Sequence, residues 1–254
     1  MNPDATRLPT FYEAGMFYVA KVGLGSDQTW LQCEGAVIAF TQDMPLYPWN
    51  LSTTFHPVPC NTPECPQGHC NDGGQCIYIA AYASGSATSG DLAKETFTLD
   101  SNTGAVENMD LHVGCGLRQD NFDRLFGDNH SRGKPNMIAG MLGLGKGPWS
   151  FLNQLGAAGQ GKFSYCFETF NQNIKASNTY LRFCEDATIG AAARNVHATP
   201  IAVREQFRTT YYYLNLKDVS VGDKTVGFPK DTFKLNDQGE GGALIDSGAR
   251  LSFM

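Results

Sequence analysis

The sequence predicts a mainly β protein with two strand-rich regions and a single helix. Three observations carry this expectation. Apolar and polar residues alternate over short runs, the period at which one face of a strand is buried. Gly, Pro, Asn and Ser gather between those runs, where turns require them. Helical spacing occurs in one stretch alone.

In chain order, "MFYVAKV" (16–22), "CIYIAAY" (76–82), "ETFTL" (95–99) and "MDLHVGC" (109–115) read as strands of the first region. "YYYLNLKDVSV" (211–221) reads as a strand of the second. "DSNTGAVEN" (100–108) joins two strands as a hairpin loop, and "GDKTVG" (222–227) begins another hairpin. The helix is expected in "PWSFLNQLGAAG" (148–159). Pro148 suits its first turn, Leu152 and Leu155 give one apolar face, and Gly156 or Gly159 can end it. A polar stretch, "ETFNQNIKASN" (168–178), separates the first region from a second, shorter one that breaks off soon after Asp246. No internal repeat or low-complexity segment is evident.

With 254 residues the chain can bury the core of one large β unit or of two lobes. Nineteen Lys and Arg against 25 Asp and Glu make it mildly acidic, and no basic block occurs. Neither nucleic acid nor a polybasic membrane anchor is therefore an expected partner. No apolar stretch is long enough to span a bilayer. The start, "MNPDATRLPTFYEAG", lacks the basic and apolar segments of a signal peptide.

Eight cysteines nevertheless speak for an oxidising, secretory compartment. Cys60, Cys65, Cys70 and Cys76 cluster in "CNTPECPQGHCNDGGQC", while Cys33, Cys115, Cys166 and Cys184 are scattered. Zinc, with His69 beside Cys70, is the rival reading of the cluster. Structural zinc sites prefer two close pairs separated by a long gap, which is not the spacing here. The triplets Asn50-Leu51-Ser52 and Asn129-His130-Ser131 are N-glycosylation candidates and agree with secretion.

Several motifs mislead. "GMLGLGK" (140–146) meets the bare pattern of a phosphate-binding loop, but Gly147 follows where a Ser or Thr hydroxyl should meet magnesium. A structural glycine turn is the better reading. No G-x-S-x-G elbow offers a hydrolase serine. The histidines His56, His69, His112, His130 and His197 lack metal-ligand spacing, so no metal and no cofactor is expected.

The chemistry-bearing stretch is "LIDSGARLSF" (244–253). Leu244 and Ile245 read as a buried strand, delivering Asp246 onto a Ser247-Gly248 turn. Carboxylates in such positions act in pairs. Two aspartates a few ångströms apart share one proton, so one activates water while the other protonates the substrate carbonyl. Alone, Asp-Ser-Gly is an ordinary turn.

The surrounding sequence changes its weight. "YIAAYASGSATSGDLAKETFTL" resembles the flap hairpin of pepsin-like (A1) aspartic proteases, in which a tyrosine precedes a Gly-Ser turn. "LHVGCG", "GMLGLGKGPWSFLNQLG" and "KFSYCF" are similar to successive landmarks of the plant, nepenthesin-type branch. "YYYLNLKDVSVGDKTVGFPKDTF" and "GEGGALIDSGA" extend the likeness, which covers nearly the whole chain from about residue 16. The resemblance implies a pepsin-like bilobal fold with an incomplete second lobe. It places a non-family leader at 1–15, a first lobe at 16–167, a connection at 168–178 and a truncated second lobe at 179–254. It makes Asp246 the second catalytic aspartate and Tyr82 the flap tyrosine. Gly85 and Ser86 then lie at the flap tip, with Ser247 and Gly248 beside the substrate. Met141, Leu142 and Gly143 become the apolar-apolar-Gly segment that supports the first catalytic loop.

The departures from the family pattern are specific. Where the family carries Asp-Thr-Gly-Ser-Asp, this chain has "GLGSD" (23–27), so Gly23 replaces the first catalytic aspartate and Leu24 the threonine. Asp27 matches the motif's second, non-catalytic aspartate. "FYVAKV" runs straight into this segment, leaving no room for the inner strand the family places before it. Cysteines common after Cys33 appear as Ala36 and Ala39, and Cys184 stands where glycine is expected and has no partner in the family pattern. The remaining seven, Cys33, Cys60, Cys65, Cys70, Cys76, Cys115 and Cys166, are the disulfide candidates. The implied function is aspartic endopeptidase chemistry on peptide or protein substrates at acid pH, impaired in this chain by Gly23 and the short second lobe. The alternative is a non-catalytic binding protein of the xylanase-inhibitor type. By the same resemblance the parent is a monomer, secreted to the apoplast or sent to the vacuole.

Overall fold

The computed structural model describes residues 7–9, 19–66, 68–100, 106–123, 136, 138–165, 180–189, 196–202, 210–239 and 241–247. Its strands, in chain order, begin with β1 (Arg7–Pro9), β2 (Val19–Gly23), β3 (Trp30–Gln32), β4 (His56–Pro57) and β5 (Ile77–Ala81). The two longest follow, β6 (Ala87–Asp100) and β7 (Val106–Asp120), and then β8 (Ile138–Gly143), β9 (Phe163–Tyr165) and β10 (Tyr180–Phe183). The second region contributes β11 (Tyr212–Leu214), β12 (Ser220–Val221), β13 (Lys224–Thr225) and β14 (Ala243–Ile245).

A seven-stranded mixed sheet in the order β2-β8-β3-β7-β6-β4, with β5 also on β6, forms the main body. Its spine is the antiparallel pair β6–β7, in register from Ala87↔Asp120 to Asp100↔Val106. Of the loop expected at 100–108, Asp100 and Val106–Asn108 are strand, and 101–105 lie outside the described residues. Strand β8 lies between β2, which runs parallel to it, and β3, which runs antiparallel. The strand directly before Gly23 is therefore present. It falls largely within the run 16–22 expected to be a strand, extends to Gly23, and lies beside the apolar-apolar-Gly segment of β8. Strand β1, inside the stretch expected to be a leader, pairs with β10 in a three-stranded sheet with β9.

Glycine explains how β8 can be shared. A Cβ on Gly140 would come within 1.9 Å of the Trp30 carbonyl oxygen, and one on Gly143 within 2.3 Å of that of Asp27. The glycines of "GMLGLGK" thus serve close backbone approach within the protein. The two larger of three buried apolar clusters among the described residues pack this body. One gathers Phe40, Tyr78, Leu92, Phe122 and Met141 around the fully buried Trp30. The other packs Leu24, Leu142 and Leu144 against Phe151, Leu181 and Phe183. Each such side chain contributes on the order of 2 kcal/mol by leaving water.

Three disulfides reinforce this body. Cys33–Cys115 links the end of β3 to β7, and Cys60–Cys70 and Cys65–Cys76 knit the clustered loop. The sulfurs of Cys60, Cys65 and Cys70 lie within 4.8 Å of one another, and the two bridges consume all three as covalent partners. Cys166 lies outside the described residues. Cys184 is a buried free thiol and holds a left-handed backbone, φ 58°. The family pattern's glycine suits that conformation, which costs an L-residue roughly 1–2 kcal/mol.

Two elements differ from expectation. The helix is a single turn, α1 (Phe151–Gln154), capped by the Ser150 hydroxyl, and a 3-10 turn at Gly156–Gly159 follows it. Pro148 precedes the helix instead of opening it, and a positive φ of 58° at Gly156 stops its propagation. The run 211–221 is not one strand but two fragments, β11 and β12. The cause sits between them: the Asp218 carboxylate accepts the backbone N–H groups of Val219 and Gly227, offering this segment an alternative to a ladder. The hairpin expected at 222–227 is present, with Val221 opposite Lys224.

Glu95, on β6, is a buried carboxylate fully engaged by local donors. Tyr47 and Thr54 donate their hydroxyls, Ser52 donates at 2.8 Å and the Thr96 N–H at 2.8 Å. Burial alone would push its carboxyl up, but the bonds from Thr54, Tyr47, Ser52 and Thr96 outweigh that and hold it below the ordinary 4.5. A depressed folded value means stability that is present above the unfolded pKa and lost as pH falls through the folded one. Glu95→Gln should therefore cost about 1–3 kcal/mol in urea unfolding at neutral pH. It should also flatten the loss of stability below the ordinary carboxyl range. An unchanged neutral-pH midpoint would show that the 47–54 loop is held by other means.

Candidate active site

Strand β2 ends at Gly23, opposite Gly143 of β8. Leu24 then turns into the apolar cluster and is buried there. Beyond it, Gly25 presents bare backbone: a Cβ at this position would lie 3.0 Å from Asp246 Oδ2. The structure thus brings Asp246 to the loop that begins at Gly23, although the two are separated by most of the chain.

Asp246 follows β14, which pairs only with β11 among the described residues. The strand is not buried as its composition suggested. Leu244 is 48% exposed and Ile245 42%, because a two-stranded sheet leaves faces that no described element covers. Ser247 Oγ is buried and has no hydrogen-bond partner among the described residues. Leu24, which replaces a threonine of the family motif, brings no hydroxyl to this loop. Gly248 lies outside the described residues. Near the same carboxylate, burial and then the Asp246 charge push the Tyr165 phenol up.

Asp27 is committed elsewhere. Its Oδ1 accepts the Gly147 N–H at 2.8 Å, and a Cβ on Gly147 would collide with its carboxylate, 1.5 Å from Oδ2. Burial raises its pKa against the opposing effect of the Gly147 bond. The second region grips the same glycine loop. Tyr212 donates its hydroxyl to the Leu144 carbonyl at 2.8 Å, and the Lys146 N–H reaches Thr210 O at 2.9 Å. Burial, then the charge of Asp27, push the Tyr212 phenol up to about 12.

The hairpin β5–β6 carries the expected flap residues. Tyr82 and Ser86 close its turn through a backbone bond of 2.9 Å, and Gly85 is exposed at the tip with φ 80°. Ser86 turns inward instead: it is buried, and its hydroxyl donates to Asn121 O at 2.9 Å. Asn121 returns a bond from Nδ2 to Gly85 O at 3.1 Å. The Tyr82 hydroxyl accepts the Trp30 indole N–H at 2.7 Å and lies 3.4 Å from Ser26 Oγ. Sequence reading assigned no role to Trp30, Ser26, Gly25, Tyr165 or Asn121. The one signal available was "GSDQTWLQC", where a polar loop runs directly into a buried tryptophan.

A family profile described as xylanase inhibitor N-terminal matches residues 16–183, and one described as xylanase inhibitor C-terminal matches residues 211–254. The chain belongs to the plant branch of the pepsin-like aspartic protease family. Aspartic proteinase nepenthesin-2 of Nepenthes gracilis is 33% identical over 93% of this chain and 49% of its own length. Aspartyl protease family protein 2 of Arabidopsis thaliana is 34% identical over 97% of this chain and 47% of its own length. The chain thus spans about half the length of the curated relatives it matches. Among solved structures, edgp superposes with a TM-score of 0.65 at 18% identity, covering 98% of this chain and 65% of its own. Conglutin gamma, a basic 7S globulin from lupine seeds, gives 0.58 at 18% identity, covering 97% and 65%. Both show the fold, which is the pepsin-like one the sequence resembled. No helix among the described residues is long and apolar enough to cross a membrane.

Within this fold, the Trp30–Tyr82 bond fixes the tyrosine at the β5–β6 turn to the body of the sheet. Tyr82→Phe would leave the fully buried indole N–H unpaired and should cost about 1–3 kcal/mol. Urea unfolding followed by tryptophan fluorescence would measure it. A variant as stable as the parent would mean that the hydrogen bond is replaced, and that Tyr82 is not held by Trp30.

Proposed function

We propose that this chain is a pepsin-like family member whose peptide-hydrolysing site is disabled while its cleft is kept. The carrying observation is the pairing of Gly23 with Gly143 while Asp246 faces the same loop at Gly25. The family reaction needs one carboxyl to take a proton from water and another to give one to the peptide carbonyl. Asp246 can fill one role, and Gly23 has no side chain for the other. Asp27 is close in sequence, but its carboxylate is taken by the Gly147 loop. Loss of one member of such a cooperative set costs on the order of a thousandfold or more in rate.

In this reading the first lobe is 16–167, the connection 168–178 and the second lobe 179–254. Tyr82, Gly85 and the Ser247-Gly248 turn border a cleft for an extended peptide, and no cofactor takes part. Three disulfides support passage through an oxidising compartment; the apoplastic or vacuolar destination and the monomeric state are carried over from the family resemblance. A second reading, a non-catalytic binding protein of the xylanase-inhibitor type, is favoured by the description of the matching family profiles.

The test is hydrolysis of denatured haemoglobin at acid pH with and without pepstatin. The expected result is no pepstatin-sensitive cleavage by the unmodified chain. Gly23→Asp alone should not restore it: β2 would carry the new carboxylate, but Leu24 would still leave Ser247 Oγ without a hydroxyl partner from that loop. Pepstatin-sensitive turnover by the unmodified chain, abolished by Asp246→Asn, would overturn the proposal. Stoichiometric inhibition of a xylanase would select the binding-protein reading.

A further inference from the structure

The loop between β3 and β4 contains a single 3-10 turn, Trp49–Leu51, with Asn50 exposed at its centre. Its flanks are apolar and open. Leu51 is 77% exposed, and Trp49 37%, even though its indole donates to Glu34 O at 3.0 Å and packs on Phe55 at 5.5 Å. Ser52 completes an Asn-x-Ser triplet, and its hydroxyl donates to the buried Glu95 at 2.8 Å. The same hydroxyl is therefore part of an acceptor signal and part of the folded core's polar anchor.

We propose that Asn50 carries an N-linked glycan that is attached before the 47–54 loop folds onto Glu95, and that its first sugars cover Trp49 and Leu51. The triplet is an acceptor only in a chain that enters the secretory pathway, and the three disulfides are of the kind that form there. The transfer is redox-neutral. The bond between C1 of the first N-acetylglucosamine and the diphosphate of a lipid-linked oligosaccharide breaks. A bond from C1 to Asn50 Nδ2 forms, the amide gives up one proton, and the lipid diphosphate leaves. The transferase must engage the hydroxyl two residues past the asparagine. In the folded protein that hydroxyl is bonded to Glu95 and the backbone is fixed in a 3-10 turn, so the folded chain is a poor acceptor. Once attached, the sugar needs no rearrangement, because Asn50 itself points to solvent. Covering Trp49 and Leu51 removes an apolar patch that would otherwise favour self-association. None of this depends on whether the cleft is catalytic.

The full chain, secreted from yeast or human cells behind a foreign leader, would be analysed by peptide mass spectrometry before and after peptide-N-glycosidase. The expected result is a glycan on the Asn50 peptide, converted to aspartate by the enzyme. Asn50→Gln should lose one glycan and bind more of a hydrophobic dye. Ser52→Thr should keep the glycan. If the protein is retained in the cell, the endoplasmic-reticulum pool gives the same readout. The order of events is read separately by offering unglycosylated chain to microsomes supplied with lipid-linked oligosaccharide. The oxidised, folded chain should remain unmodified, and the reduced, alkylated and unfolded chain should be modified at Asn50. An unmodified Asn50 in the secreted or retained chain would overturn the site. Equal modification of folded and unfolded chains would overturn the proposed order.

Discussion

Where β8 passes between β2 and β3, its backbone touches that of the 27–30 segment with no side chain in between. Gly140 lies against the Trp30 carbonyl and Gly143 against that of Asp27, at separations that exclude any Cβ. That contact fixes both ends of the 24–29 loop at once. One end, Gly23, is paired with Gly143, and the other, Trp30, with Met141. The buried Thr29 hydroxyl then accepts the Gly143 N–H at 3.2 Å, closing the loop onto the strand that carries it. A loop with both ends pinned has few conformations left. This is what pre-organises Gly25 and Ser26.

The same strand transmits position to the second region. Beyond β8, Gly145 and Gly147 wrap the Asp27 carboxylate, and the Leu144 carbonyl receives the Tyr212 hydroxyl. Tyr212 is the residue of β11 that sits opposite Ile245 in β14, immediately before Asp246. Asp246 therefore reaches Gly25 through a short physical chain: glycine loop, Tyr212, Ile245, carboxylate. The half-exposed faces of Leu244 and Ile245 are tolerable in this arrangement because backbone pairing and the Tyr212 anchor, more than burial, place the strand.

The legibility of the sequence follows the range of each interaction. Strands whose partners are neighbours in the chain, such as β6 and β7, carry alternating runs like "TFTL" and "MDLHV", and their order was readable. The run 211–221 has the same pattern, but the pattern does not reveal that Asp218 will take the backbone N–H groups around it. The helix was located and overextended, since only the left-handed φ of Gly156 shows where it stops. Leu244 and Ile245 look like core by composition, and composition does not report how many strands flank them. Asp246 was legible through its family motif, as was the oddity of Cys184, whose positive φ is the conformation a glycine would hold. The Trp30–Tyr82 bond and the approach of Asp246 to Gly25 join residues far apart in sequence. No local periodicity encodes them.

The anchoring of the β5–β6 turn is independent of position 23. Tyr82 is held by Trp30 and Ser26, and the tip by Ser86 and Asn121, and none of these bonds involves Gly23. In an active pair, the first aspartate would stand beside Asp246, and two such charges repel when brought together in a partly buried site. Catalytic groups of this kind are commonly a cost to stability. A glycine in that place brings no such repulsion and leaves the bonds around Tyr82 as they are. Under the proposed reading, hydrolysis can therefore be lost at Gly23 while the hydrogen bonds that hold the β5–β6 turn remain.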